Sequence, residues 1–238
     1  MKKPSFTLLS PENGTDYWIH VRKPAAPEPW TAVIVLDGDD MFTTALKARD
    51  ALKNPPPLLM VGVGYGGSYT SPVNKRARDY TPVPAPEETS SGGGEQFLEF
   101  LTTLLWSELA RRYPIREDVR GLAGYSLGAL LALHALFRPQ PFFTHYLAGS
   151  PSIWWADGAI LSHVPETRSL PPGARLFLSV GGRDSKSMIE DVSRLEGQLA
   201  ALAFPNLKVT VRRLAGKTHK NALPATFATG FADLFDQP

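Results

Sequence analysis

Gly121-Leu122-Ala123-Gly124-Tyr125-Ser126-Leu127-Gly128-Ala129-Leu130 joins an apolar run to a stretch of helix formers through a G-x-S-x-G pentapeptide. Residues 119–123 suit a buried strand, and residues 127–137 suit a helix that is apolar at almost every position. A chain that reverses this sharply from strand to helix presses its backbone against its neighbours, so a Cβ at position 124 or 128 would collide. The serine between the two glycines then takes a strained turn and projects its hydroxyl beyond the strand end. The competing reading, a chance pentapeptide in which Ser126 merely caps a helix, is disfavoured by the strand before it and the helix after it.

The same alternation extends outward in both directions. Residues 32–36 form a short continuous apolar run ending at Asp37-Gly38-Asp39, residues 41–52 have helical spacing and stop before Pro55-Pro56-Pro57, and residues 58–63 are a second buried strand. Before them, residues 5–10 and 17–21 flank Pro11-Glu12-Asn13-Gly14, and Asn-Gly can supply the φ > 0 positions of an antiparallel hairpin. Residues 65–94, rich in Gly, Pro, Ser and Thr, are one long irregular segment, read here as the wall of a site. A helix over 95–113 follows, with Phe97, Leu98, Leu101, Leu104, Leu105 and Leu109 on one stripe. Beyond the central turn come strands at 144–148, 176–180 and 209–214 and helices at 187–203 and 223–235. The expected fold class is α/β, a mostly parallel doubly wound sheet with an N-terminal antiparallel hairpin, in a single domain over residues 1–238.

Composition narrows the function. A hydrophobic share of 43% with 20% charged residues suits a folded globular chain. The net charge of +2 is too mild for a nucleic-acid binder, which concentrates Lys and Arg on one face. With no cysteine, disulfides, thiolate metal sites and a Cys nucleophile are excluded. No apolar stretch approaches the length of a membrane span, so no membrane partner is expected. Met1-Lys2-Lys3 is followed over 4–16 by polar and turn residues instead of an apolar signal core, and the expected location is cytoplasmic.

A serine at such a turn is a nucleophile only with a base. In the α/β-hydrolase arrangement the base lies on the loop after the last strand, which overhangs the turn, and His219 is the histidine placed there. His20 falls in the hairpin, His134 in the helix after the turn, His145 in a strand and His163 in a surface segment. The acid normally follows the strand at 176–180, where Gly181-Gly182-Arg183-Asp184 stands. Asp184 could instead cap the next helix, although Ser187 with Glu190 reads as a capping box. Glu190 and Asp191 are the other carboxylates in reach. The order Ser126, Asp184, His219 is the hydrolase order. The Leu127 N–H, first in its helix, is half of an oxyanion hole.

With these residues in hand the chain resembles the Putative esterase family of α/β-hydrolases, which includes esterase D and, more closely, the iron-siderophore (enterochelin-type) esterases. The resemblance rests on Val35-Leu36-Asp37-Gly38-Asp39, Arg78-Asp79-Tyr80-Thr81-Pro82, Gly124-Tyr125-Ser126-Leu127-Gly128 and Ala148-Gly149-Ser150-Pro151-Ser152-Ile153-Trp154-Trp155. It implies hydrolysis of a small-molecule ester without a metal or organic cofactor. It implies that the second oxyanion N–H comes from Gly38 or Asp39, and that the loop with Lys75, Arg76 and Arg78 lines a cleft walled by Trp154 and Trp155. Tyr65 and Tyr125 complete the candidate substrate contacts. A solvated basic loop and core tryptophans are the plainer readings of those residues. Siderophore esterases of this kind can work with a serine and histidine dyad, which leaves the role of Asp184 open. Acyl transfer to an alcohol, and a non-catalytic pocket on the same fold, are the alternatives to ester hydrolysis. Oligomeric state is not legible.

Overall fold

In the computed structural model, which describes residues 3–164, 170–202, 204 and 206–236, the strongest apolar runs become the middle of one sheet. Its strands are β1 (Phe6–Leu9), β2 (Asp16–Arg22), β3 (Trp30–Val35), β4 (Leu58–Gly64), β5 (Ile115–Tyr125), β6 (His145–Gly149), β7 (Ala174–Gly181) and β8 (Leu207–Leu214). They lie in the order β1-β2-β4-β3-β5-β6-β7-β8. The pairs β1–β2 and β2–β4 are antiparallel, and every other pair is parallel. Every residue of β3 and β4 is buried, as a strand covered on both faces requires.

The helices are α1 (Gly38–Asp50), α2 (Arg76–Asp79), α3 (Gly94–Phe100), α4 (Trp106–Arg112), α5 (Leu127–Leu136), α6 (Ile160–His163), α7 (Lys186–Leu202) and α8 (Leu223–Phe235). Met41, Ala45 and Ala48 of α1 and Phe227, Phe231 and Phe235 of α8 share one apolar layer. The other face carries α3 to α5 and α7, through Phe97, Leu101, Leu109, Leu130, Leu133 and Leu195 among others. Apolar all round, α5 sits inside that layer with eight of its ten residues buried. Consecutive connections leave β3 and β5 toward opposite sides of the strand order. The crevice between their C-terminal ends is therefore the switch point where doubly wound sheets bind ligands.

Several local expectations change. The first hairpin closes over residues 10–15, where only Gly14 has positive φ (65°) and Asn13 instead accepts the Thr15 N–H on its side chain at 3.0 Å. The helix expected over 95–113 is α3 and α4 joined by a π-helical segment, Leu101–Leu105, where the Thr102 and Thr103 hydroxyls bond back to the Leu98 and Glu99 carbonyls. Within the long irregular segment a single helical turn, α2, forms. The cap of α7 is Ser185, whose Oγ accepts the Met188 N–H at 3.3 Å, so the capping box at Ser187 does not form. The expected end of that helix at Ala203 lies outside the described residues. Among the described residues no helix is long and apolar enough to cross a membrane.

Candidate active site

The turn after β5 has the predicted strain. Ser126 sits at φ 58°, ψ −117°, outside the regions open to an ordinary side chain, and α5 begins at the next residue. A Cβ on Gly124 would stand 2.2 Å from the Gly128 carbonyl oxygen, so only glycine fits there. At Gly128 a Cβ would come to 3.3 Å from Leu36 Cβ and 3.5 Å from an Asp37 carboxylate oxygen. The first turn of α5 is thus packed against the end of β3, which brings the start of α1 beside Ser126.

Ser126 Oγ lies 3.2 Å from His219 Nε2, across 93 residues of sequence. His219 is held by its main chain, because its carbonyl oxygen accepts a 2.7 Å bond from the Tyr125 hydroxyl. The Tyr125 and His219 rings also lie 5.2 Å apart at 39°. The loop after β8 is pinned to the turn after β7 by the Gly182 N–H donating to Leu214 O and the Arg183 N–H to Lys217 O, both at 2.8 Å. That turn carries Asp184. Its Oδ2 accepts the Gly181 N–H and the Ser150 hydroxyl, each at 3.0 Å.

Two complementary atoms are left over. Asp184 Oδ1 and His219 Nδ1 are buried without a hydrogen-bond partner, and no bond closes between them. Burial holds the His219 imidazole below its ordinary value of 6.5, while the Asp184 carboxylate works upward and Arg76 downward. If His219 acts as a general base it must be neutral to do so, and the acidic limb of kcat/KM is then expected below about pH 6.5. A pH–rate profile with its acidic midpoint well above that value would contradict this environment.

The long loop braces the other side. Asp37 adopts left-handed geometry at φ 51°, its N–H donates to the Tyr80 hydroxyl at 2.9 Å, and its carboxylate receives the Arg76 guanidinium at 2.8 and 2.9 Å. Burial pushes the Asp37 carboxyl up against the pull of Arg76. Burial also opposes the Arg76 charge, but the Asp37 carboxylate outweighs it and raises the guanidinium. Removing the guanidinium leaves a buried, unpaired carboxylate, so Arg76→Ala is expected to cost about 3–5 kcal/mol of unfolding free energy. Urea titration of the two proteins measures it, and a loss under about 1 kcal/mol would rule out this clamp.

Gly38 and Asp39 open α1, where the first amides of a helix have no partner within it. The Asp39 side chain turns away from the serine, its Oδ2 accepting the Tyr65 and Gly66 N–H groups at 2.6 and 3.1 Å. Only the main chain of Asp39 is left for an oxyanion.

A cleft of about 360 Å³ opens at the serine, lined by Asp40, Met41, Tyr69, Arg76, Tyr125, Ser126, His219, Lys220 and Leu223. Of the predicted substrate contacts it gathers Arg76 and Tyr125. Arg78 lies outside the lining of this cleft and bonds Asp79, Thr15 and Tyr17. Tyr65 is 6% exposed and donates to the same Asp79 at 3.0 Å. Trp155, 8% exposed, gives its indole N–H to Val83 O at 2.9 Å, whereas Trp154 is 53% exposed and outside the lining of this cleft. Sequence reasoning missed Tyr69, Asp40 and Lys220, and also Ser152, whose Oγ is 3.3 Å from Ser126 Oγ. Lys220, next to His219, was the one with a positional signal.

The chain is similar in sequence and in fold to known esterases. The ferri-bacillibactin esterase BesA of Bacillus subtilis (strain 168) is 30% identical over 240 residues, covering 90% of this chain and 82% of that protein. The siderophore triacetylfusarinine C esterase of Aspergillus fumigatus is 34% identical over 168 residues, and the match covers 64% of this chain and 57% of that longer protein. Among solved structures, the BES protein from Bacillus cereus superposes with a TM-score of 0.87 at 26% identity, over 95% of this chain and 92% of that one. The siderophore hydrolase EstB from Aspergillus nidulans gives 0.76 at 26% identity, over 98% and 94%. The family model described as Putative esterase matches residues 10–219, from the end of the first strand to the histidine beside Ser126, and the chain belongs to that family.

Proposed function

We propose that the chain hydrolyses carboxylic esters with Ser126 as nucleophile, His219 as general base and Asp184 as the carboxylate that favours its charged form. The observation that carries this is the 3.2 Å approach of His219 Nε2 to the hydroxyl of a serine in strained elbow geometry. Ser126 Oγ attacks the ester carbonyl as its proton passes to Nε2. The oxyanion meets the Leu127 N–H and an amide of the Gly38–Asp39 turn, two helix N-termini whose dipoles favour negative charge. The proton then goes to the leaving alcohol, and water releases the acid from the acyl-enzyme.

For the substrate we infer an ester of an iron-binding siderophore, the class named for the related esterases of Bacillus subtilis and Aspergillus fumigatus. Arg76 and Lys220 on the cleft wall offer the cations that phenolate or carboxylate oxygens of such a molecule would meet. The test is a hydrolysis panel of p-nitrophenyl esters of increasing chain length beside ferric and iron-free catecholate and hydroxamate siderophore esters. Preference for a siderophore ester by at least tenfold in kcat/KM supports the assignment. Simple esters cleaved as well or better would leave an esterase with another substrate, and no labelling by a fluorophosphonate would remove the nucleophile itself.

A further inference from the structure

Among the described residues Ser126 Oγ has two hydrogen-bonding neighbours, of which one belongs to the proposed triad. The second is Ser152, in the loop after β6, with Oγ 3.3 Å from Ser126 Oγ. Ser152 is 1% exposed, and its main-chain N–H also bonds the Ser126 carbonyl at 3.2 Å. Backbone and side chain of one residue thus both hold the nucleophile. Ser150, two residues earlier, carries positive φ (40°), and its N–H bonds the Ser179 carbonyl at 2.7 Å while its hydroxyl bonds Asp184. The segment 150–152 is therefore fixed at both ends to the machinery.

The direction of the bond follows from the number of protons. Ser126 has one hydroxyl hydrogen, which goes to His219 Nε2 if the imidazole is to act as base. Ser152 must then donate, and Ser126 Oγ must accept. Two donations then run in one direction, Ser152 to Ser126 and Ser126 to His219 Nε2, while His219 Nδ1 and Asp184 Oδ1 stay unpartnered.

A donor aimed at this oxygen acts differently in the two halves of the reaction. During acylation Oγ is the attacking atom, and a bond donated to it withdraws electron density, so gain and loss largely offset. During deacylation Oγ is the leaving atom. Water adds to the acyl carbon and its proton passes to His219. The carbon–Oγ bond then breaks, Oγ takes the electron pair, and His219 returns the proton to it. Negative charge grows on Oγ through that step, and the Ser152 hydroxyl is already placed to receive it without reorganisation.

We propose that Ser152 is a further catalytic residue, a hydroxyl donor to the nucleophile's oxygen that promotes breakdown of the acyl-enzyme in preference to its formation. This rests on Ser126 being the acylated residue, as proposed above.

The experiment separates the two steps. With a p-nitrophenyl ester, stopped-flow release of p-nitrophenol gives a burst for acylation and a steady state for deacylation, and intact-protein mass spectrometry with peptide mapping counts acyl groups on Ser126. In Ser152→Ala the steady-state rate is expected to fall about tenfold with the burst rate within about twofold, and acyl-Ser126 to accumulate. Ser152→Thr, which keeps a hydroxyl, should restore deacylation in part, whereas Ser152→Val, of the same shape, should not. Equal slowing of burst and steady state, or equal loss in the Thr and Val variants, would reduce Ser152 to a packing residue and overturn the proposal. A protein that turns over ester yet carries no acyl group on Ser126 in any variant would instead overturn the nucleophile assignment, and Ser126→Ala, measured alongside, tells the two failures apart.

Discussion

Ser126→Ala is expected to lower kcat by roughly 10⁴–10⁶ while leaving the unfolding midpoint within a degree or two of the parent. The reason is positional. The Ser126 side chain projects from the turn into the cleft, so truncation removes one oxygen and opens no cavity in the apolar layers on either face of the sheet. Relief of a strained serine does not occur either, because alanine at φ 58° keeps the same steric conflict. His219→Ala is expected to reach a similar floor, and the double variant to lie close to either single one, since nucleophile and base act as one unit. Turnover of a p-nitrophenyl ester by the purified variants measures this. Substantial hydrolysis by Ser126→Ala, above what contaminating esterase explains, would end the mechanism. Additive losses would show that the 3.2 Å contact does not represent a working pair.

For Asp184 the expected effect is smaller but still large. The carboxylate is anchored through Oδ2 by the Gly181 N–H and the Ser150 hydroxyl, so its second oxygen is held in place. In Asp184→Asn the amide would retain much of that anchoring yet lose the charge that favours imidazolium. A fall in kcat of roughly 10³–10⁴ with KM little changed is expected if Oδ1 receives the Nδ1–H during turnover. The pH profile gives an independent sign. The Asp184 charge raises the His219 pKa, so its removal should move the acidic limb to still lower pH, where burial and Arg76 already push it. A loss below about tenfold would make the enzyme a dyad, with His219 oriented through its carbonyl by Tyr125 and by the loop bonds to Gly182 and Arg183. Glu190 is more than half exposed at its side chain and pairs with Lys186 on the outer side of α7, which makes it a poor substitute.

Some of this was legible in the sequence, for reasons that are local. The elbow could be read from ten consecutive residues because the crowding that demands glycine at 124 involves the Gly128 carbonyl, four positions away. The buried strands were readable because a strand covered on both faces is apolar without alternation. The place of His219 on the loop after the last strand followed from chain order once the α/β-hydrolase arrangement was assumed. The π-helical segment was not readable, since Thr102 and Thr103 can bond back to the main chain in a regular helix too.

The two arginines of the long loop mark the boundary most clearly. Arg76 and Arg78 are the same residue type, two positions apart on one helical turn, and the sequence offers nothing to distinguish them. Their partners do, at separations of 39 residues for Asp37 and 63 for Thr15. A guanidinium goes where a buried carboxylate compensates its desolvation, so Arg76 is drawn to Asp37 beside the cleft and Arg78 to Asp79 beside β2. The same holds for Tyr65 and Trp155, whose polar atoms found Asp79 and Val83, and for Ser152, whose meeting with Ser126 depends on β6 lying beside β5. The sequence by itself determined the buried strands and the strained serine turn after β5, because backbone sterics and apolar periodicity act within a few residues. Only the tertiary structure decided which charged and polar side chains reach the cleft, because hydrogen-bond satisfaction is settled between elements distant in the chain.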